Sequence, residues 1–169
     1  MKMIIFIVMF LVSSTYASDS CELLLVKLET TKRVSENTVT TTITAKSGAE
    51  VIGSFLYHTT SGSPGEIKVG DVEVDKKYKG RGVLYMLYKE AVDRNPNVIR
   101  MSSMLLFDNL KAFQKAWDEL DYIYDKNKRC AEAVKHTPAY KIRAKLGFLV
   151  VDECEYVGNI LVLFGSRKP

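Results

Sequence analysis

The sequence predicts an α+β domain with a mixed, mostly antiparallel central sheet and flanking helices. Three observations carry that prediction. From Leu23 to Asp75 the pattern is β throughout, rich in Thr, Val and Ile and broken by Ser, Gly and Pro. Between Val72 and Arg94 a strand end passes through a basic, glycine-rich turn into an amphipathic helix. Beyond Arg94, short apolar runs alternate with stretches whose apolar residues recur every three or four positions.

Taken in order, Leu23-Leu24-Leu25-Val26 opens the first strand and residues 38–45 make the second. Ser47-Gly48 signals a hairpin turn into the third strand, 51–60. Ser61-Gly62-Ser63-Pro64-Gly65 is a loop, and residues 66–74 form the fourth strand. Leu84, Leu87, Tyr88 and Ala91 predict a helix over 83–94, stopped by Asn95-Pro96, with a short fifth strand over 98–103. Asp108 or Asn109 is expected to cap the next helix, whose Leu110, Phe113, Trp117, Leu120 and Tyr124 make a buried stripe. Residues 125–129 read as a charged turn, and 130–134 continue helically. Thr137 as cap and Pro138 at the first position start the last helix, which Gly147 ends in a left-handed conformation. Residues 148–155 and 160–164 close the chain as a hairpin around Gly158-Asn159.

The N-terminal end has the layout of a secretory signal peptide: Lys2, an apolar run over 3–12, small polar residues, then Thr15-Tyr16-Ala17 with cleavage expected after Ala17. The run is short of the roughly 20 residues a transmembrane helix needs, so no stable membrane anchor is expected after cleavage. A buried N-terminal strand is the competing reading. The remainder, 18–169, is 152 residues (169 less 17), enough for a single domain with a real core. Losing Lys2 lowers the formal charge from +4 to +3, which speaks against a nucleic-acid partner. Cys21, Cys130 and Cys154 are too scattered, and two histidines too few, for a metal site. In an oxidising compartment two of the three cysteines could pair.

The chemistry is concentrated in Lys79-Gly80-Arg81-Gly82-Val83-Leu84, after a strand that carries Val72 and Val74. Free backbone N–H groups and the positive end of the helix dipole make a helix start a seat for phosphate. Glycine lets that backbone approach an anion closely, and Lys79 and Arg81 add charge. The spacing matches neither the Walker loop nor the dinucleotide fingerprint. A basic turn that merely caps a helix is the plainer alternative.

This run resembles the acetyl-CoA pyrophosphate loop of GNAT-type N-acetyltransferases: Gln or Arg, two residues, Gly, one residue, then Gly or Ala. Lys79 departs mildly from that pattern, and Leu84 stands where the family usually has a small residue. A second stretch, 136–148, is similar to the family's segment that starts at an Asn and ends in Gly-Phe; Ala139, Lys145, Gly147 and Phe148 match. There His136 replaces the Asn, and Arg143 occupies the usual Tyr position. The resemblance covers about residues 51–164 and implies a sheet splayed between its fourth and fifth strands, with acetyl-CoA as co-substrate and an amine of a small molecule or protein as acceptor. It implies cofactor contacts at Val72, Val74, Lys79, Gly80, Arg81, Gly82, Val83, Leu84, His136 and Ala139.

For the chemistry, the resemblance implies a carboxylate on the fourth strand to take the amine proton. Glu66 and Glu73 are the candidates, on opposite faces because their separation is odd, and Glu66 is the one chosen. Tyr140, one helical turn before Arg143, is the candidate donor to the leaving thiolate. Only residues 31–37 separate the first two strands, so the helices the family usually places there are lacking; an insertion over 104–135 is expected to rebuild the acceptor wall. A catalytically inactive member that binds CoA or a protein partner is the alternative, and a small interaction domain without nucleotide ligand is a third reading. Export sits awkwardly with acetyl-CoA, an intracellular thioester.

Overall fold

The computed structural model describes residues 12–13, 25–157 and 160–167. Most of the expected signal peptide, Cys21 and the Gly158-Asn159 turn lie outside them. The described residues form a mixed, mostly antiparallel sheet with one parallel pair and flanking helices, as the sequence predicts. They divide into two compact units, residues 1–64 with 69–96 and residues 65–68 with 97–169.

In the first unit the strand order is β1 (Val12–Ser13), β2 (Lys27–Ser35), β3 (Thr38–Ser47), β4 (Glu50–Thr60), β5 (Glu66–Val74). β2, β3 and β4 pair antiparallel through short turns. The expected first strand is displaced: Leu25 and Val26 precede β2, and Thr31–Ser35, expected as loop, pair with Thr42–Thr38. The partner stretch Thr38-Val39-Thr40-Thr41-Thr42 is β-branched throughout and offers a ladder to pair with, and Glu36-Asn37 suffices as the turn. The expected lack of helices between these strands holds.

After β5 and a short 3-10 turn (Lys76–Tyr78), helix α1 (Val83–Asp93) packs on β3 and β4. It buries Val83, Leu87, Tyr88 and Ala91 against Ile43, Phe55 and Tyr57, while Leu84 stays half-buried. Phe55 meets the Tyr88 ring edge-on at 4.6 Å, and Asn95 donates to the Tyr57 hydroxyl at 3.0 Å and to the Ala91 carbonyl at 2.7 Å. Opposite Ala45 and Lys46 the strand β4 carries an extra residue, Ile52, a bulge that turns its fully buried side chain. Next to it, Gly53 lets the helix come close. A Cβ there would lie 3.0 Å from the Glu73 carbonyl oxygen, 3.2 Å from Val83 Cγ1 and 3.3 Å from Leu87 Cδ1. Gly53→Val is therefore expected to cost about 1–3 kcal/mol through overpacking, read as a lower urea midpoint at unchanged slope.

In the second unit the start of β5 is followed in the sheet by β6 (Arg100–Leu105), β8 (Ile160–Arg167) and β7 (Phe148–Val157). β8 is antiparallel to both neighbours. The expected fifth strand thus starts two residues late and runs to Leu105. β5 and β6 are the parallel pair, the expected fourth and fifth strands, and the boundary between the units cuts β5 between Lys68 and Val69.

The expected insertion is two helices, α2 (Phe107–Glu119) and α3 (Lys126–Lys135), followed by α4 (Pro138–Lys145). Leu105, Phe113, Ala116, Cys130, Ala133, Val134 and Ala139 form the unit's core, with Leu110, Trp117 and Leu120 partly buried against it. Tyr124 departs from the stripe: α2 ends at Glu119, and Tyr124 is 96% exposed. The charged turn is also corrected, because Asp125 accepts from the Lys128 N–H and so caps a helix there. Neither Asp108 nor Asn109 caps α2. Leu106 holds that position without a side-chain bond, and Asn109 instead accepts from the Ala139 N–H of α4 at 2.8 Å. α4 begins on Thr137 and Pro138 and is followed by Gly147 at φ +94°, as expected. Cys130 and Cys154 are joined as a disulfide between α3 and β7.

Candidate functional site

The glycine loop is built by three local decisions in the first unit. Asp75 accepts from the Lys77 N–H and closes the 3-10 turn. Gly80 and Gly82 then take φ of +78° and +80°, conformations that cost a residue with a Cβ about 1–2 kcal/mol. Gly82 becomes the first flanking residue of α1, and the Met86 N–H bonds back to its carbonyl. No side chain caps α1, so the N–H groups of Val83, Leu84 and Tyr85 stay outside its internal bonding. A Cβ built on Gly80 or Gly82 meets nothing within 4 Å, so the space in front of both is open.

That combination can hold an anion. Unpaired N–H groups, a helix dipole and an open approach provide it, and Arg81 and Lys79 are exposed beside it. Val83 contributes only its backbone, since its side chain is buried under α1. Val72 and Val74 are half-buried on β5. These residues fit a pyrophosphate.

A neighbouring acid fixes the loop, and the sequence reading missed it. Lys77 Nζ donates to Glu50 Oε1, and the Tyr78 hydroxyl donates to Glu50 Oε2 at 3.0 Å. Lys77 and Arg81 flank the Tyr78 ring at 5.4 and 5.9 Å. The Lys77 bond, then the Tyr78 bond, holds the Glu50 carboxyl below its usual 4.5, and the Glu50 bond raises Lys77 above its usual 10.5. Glu50 therefore stabilises the folded loop above pH 4.5 and loses that contribution as pH falls further. The contribution of Lys77 is present below pH 10.5 and lost as pH rises beyond it. Across neutral pH the tether is intact. Both groups are exposed, so the effect is small: Glu50→Gln is expected to weaken pyrophosphate binding at the loop about two- to five-fold at pH 7. The difference between variant and parent should shrink as pH falls below 4.5, where the Glu50 carboxylate begins to take up its proton, and titration calorimetry over a falling pH series would check this.

Glu66, His136, Ala139 and Tyr140 belong to the second unit, and the other expected site residues to the first. Glu66 is half-buried and accepts from Ser102 Oγ at 2.8 Å. Tyr140 is half-buried, and its hydroxyl donates to the Leu149 carbonyl at 2.9 Å. His136 is exposed at the end of α3. The Ala139 N–H is already used by Asn109.

Arg143 is the feature whose burial the sequence did not reveal. It is 4% exposed, its Nη2 donates to Ser103 Oγ, and its Nε is buried with no acceptor. Burying a guanidinium costs several kcal/mol. Its place in the last turn of α4 returns about 0.3–1 kcal/mol from the helix dipole, and Ser103 supplies an oxygen but no charge. Among the described residues no group of three or more His, Cys, Asp or Glu is placed to hold a metal ion. Among them, too, no helix is long and apolar enough to cross a membrane.

No model of a known protein family matches the sequence, and no curated protein matches it. Solved structures do match by shape. The chain is similar to an aminoglycoside 6'-N-acetyltransferase complexed with coenzyme A, with TM-score 0.53 and 13% identity over 77% of this chain and 74% of that one. It is also similar to nourseothricin acetyltransferase, with TM-score 0.46 and 14% identity over 78% of this chain and 65% of that one. A third is a GNAT family acetyltransferase from Elizabethkingia anophelis with acetyl-CoA bound, with TM-score 0.43 and 12% identity over 75% and 76%. The chain thus spans just under two thirds of the nourseothricin enzyme. The likeness to the aminoglycoside enzyme establishes a GNAT fold.

Proposed function

We propose that this chain is an acyl-CoA-dependent N-acyltransferase that moves an acetyl group from acetyl-CoA to a primary amine of a small molecule or protein. The observation that carries the proposal is the uncapped start of α1 behind two left-handed glycines with open space in front. A helix start of that kind suits a pyrophosphate. In this reading the backbone of Gly80 to Leu84 holds the pyrophosphate, with Lys79 and Arg81 adding charge. Alkyl amines with pKa near 10 are mostly protonated at neutral pH, so the reaction needs a proton acceptor. Glu66, held by Ser102, takes that role.

The test has two parts. Acetyl-CoA should raise the melting temperature of the full chain, and an amine panel should release free CoA from it. No stabilisation by acetyl-CoA or CoA would leave an interaction domain without nucleotide ligand. Stabilisation without CoA release from any amine would favour an inactive member. One observation favours that second reading: the Tyr140 hydroxyl is spent on the Leu149 carbonyl rather than free to donate to a thiolate.

Export through the segment 1–17 belongs to the same proposal. The Cys130–Cys154 disulfide supports it, because such bonds persist in oxidising compartments. N-terminal sequencing of protein purified from its own cells should begin at Ser18; a start at Met1 would overturn export.

A further inference from the structure

Strand β2 in the first unit leaves most of one edge unpaired. Its nine residues, Lys27 to Ser35, all pair with β3, and on the other side only Lys27 and Leu28 meet β1. Among the described residues nothing pairs with the outer edge from Glu29 to Ser35. In a two-residue hairpin the pair beside the turn, here Ser35 and Thr38, exchanges both hydrogen bonds. Thr31 and Arg33 therefore turn their backbone groups to β3, while Leu28, Thr30, Lys32 and Val34 turn theirs outward. An open edge of this length is a template for another strand.

We propose that this edge pairs antiparallel with the β2 of a second copy of the chain, with the twofold axis on Thr31. The side chains choose that register. Leu28 then lies across from the second copy's Val34, a residue 72% exposed in the single chain. Glu29 lies across from the second copy's Arg33, which has no ion pair among the described residues. Glu29 already sits between Lys27 and Lys46, at 3.1 and 2.6 Å, and its carboxylate has lone pairs left for a guanidinium. Thr30 faces Lys32 and Lys27 faces Ser35, so no like charges meet. Neighbouring axes all bring like charges together, which destabilises a strand pair. With the axis on Glu29, Lys32 or Arg33 that residue faces its own mate, and with the axis on Thr30, Lys27 faces Arg33. β1 stands in the way at two residues only, and a nine-residue pairing displaces it; cleavage after Ala17 would remove it altogether. The pairing requires neither acyl transfer nor export.

A pair of nine-residue strands buries less than the about 1,200 Å² of a stable complex, so the dimer is weak and concentration-dependent. Sedimentation of the full chain over about 1–300 µM should show passage from monomer to dimer. Arg33→Glu sets two acids across from each other at both ends and should weaken the dimer at least about ten-fold. Its side chain is exposed, so the melting temperature of the dilute monomer should stay the same. The register is read by cross-linking in a Cys21→Ser background, which removes the cysteine outside the Cys130–Cys154 bridge. Thr31→Cys meets its own mate on the axis at a Cα separation of about 4.5 Å, within reach of a disulfide. Ser35→Cys lies about 27 Å from its mate, far beyond that reach. Mild oxidation should therefore yield at least about five-fold more covalent dimer from Thr31→Cys than from Ser35→Cys. Equal yields, a dimer indifferent to Arg33→Glu, or a chain that stays monomeric at the highest concentration would each overturn the pairing.

Discussion

Gly82→Val is expected to lower the affinity for CoA at least about 100-fold while leaving the fold in place. Gly82 sits at φ +80° and ψ −3°, and a β-branched residue there is a genuine outlier. Holding it in that conformation costs about 1–3 kcal/mol. The space in front of Gly82 is open, so the new side chain collides with nothing in the protein. It stands instead where an anion must come to reach the N–H groups of Val83 and Leu84, and that obstruction adds to the strain. Arg81→Ala removes one charge-assisted contact and should cost only about 1.5–3 kcal/mol. Gly62→Val serves as control, because Gly62 has open space but no left-handed backbone. Calorimetric titration of the three variants would decide. If Gly82→Val bound CoA as tightly as the parent, the loop would not be the seat of the pyrophosphate.

Loss of the Cys130–Cys154 disulfide is the second large expected effect. The two cysteines are 24 residues apart, and cross-linking a loop of that length stabilises by about 3.5 kcal/mol on the chain-entropy account. The bond also lies in the packed centre of the second unit, where Cys130 touches the cluster of Phe113, Ala116 and Ala133. Replacing both cysteines by Ala should therefore lower Tm by about 7–14 °C for a chain of this size, and a dithiol reductant should do the same to the parent. Identical melting curves with and without reductant would show that the bridge contributes nothing.

The local features were legible because their causes lie within a few residues. The strand–loop–helix around Gly80 and Gly82, the Thr137-Pro138 start of α4 and the left-handed Gly147 each follow from neighbouring residue types. The same local signals also misled. The spacing of Leu120 and Tyr124 continues the stripe of α2, yet the chain has already turned, because Asp125 spends its carboxylate on capping α3. Asn109 looked like the cap of its own helix, but its side chain serves the first turn of α4, thirty residues on.

What the sequence determined by itself is the α+β class, the order of its elements and a glycine loop fit for an anion, since periodicity and left-handed turns are encoded over short stretches. Only the tertiary structure decided which cysteines pair, that Glu50 anchors the loop through Lys77 and Tyr78, and that Arg143 is buried on Ser103. In these cases the partners are 24 to 40 residues apart. Strand register and helix packing bring them together, and neither is written in the spacing of any single segment.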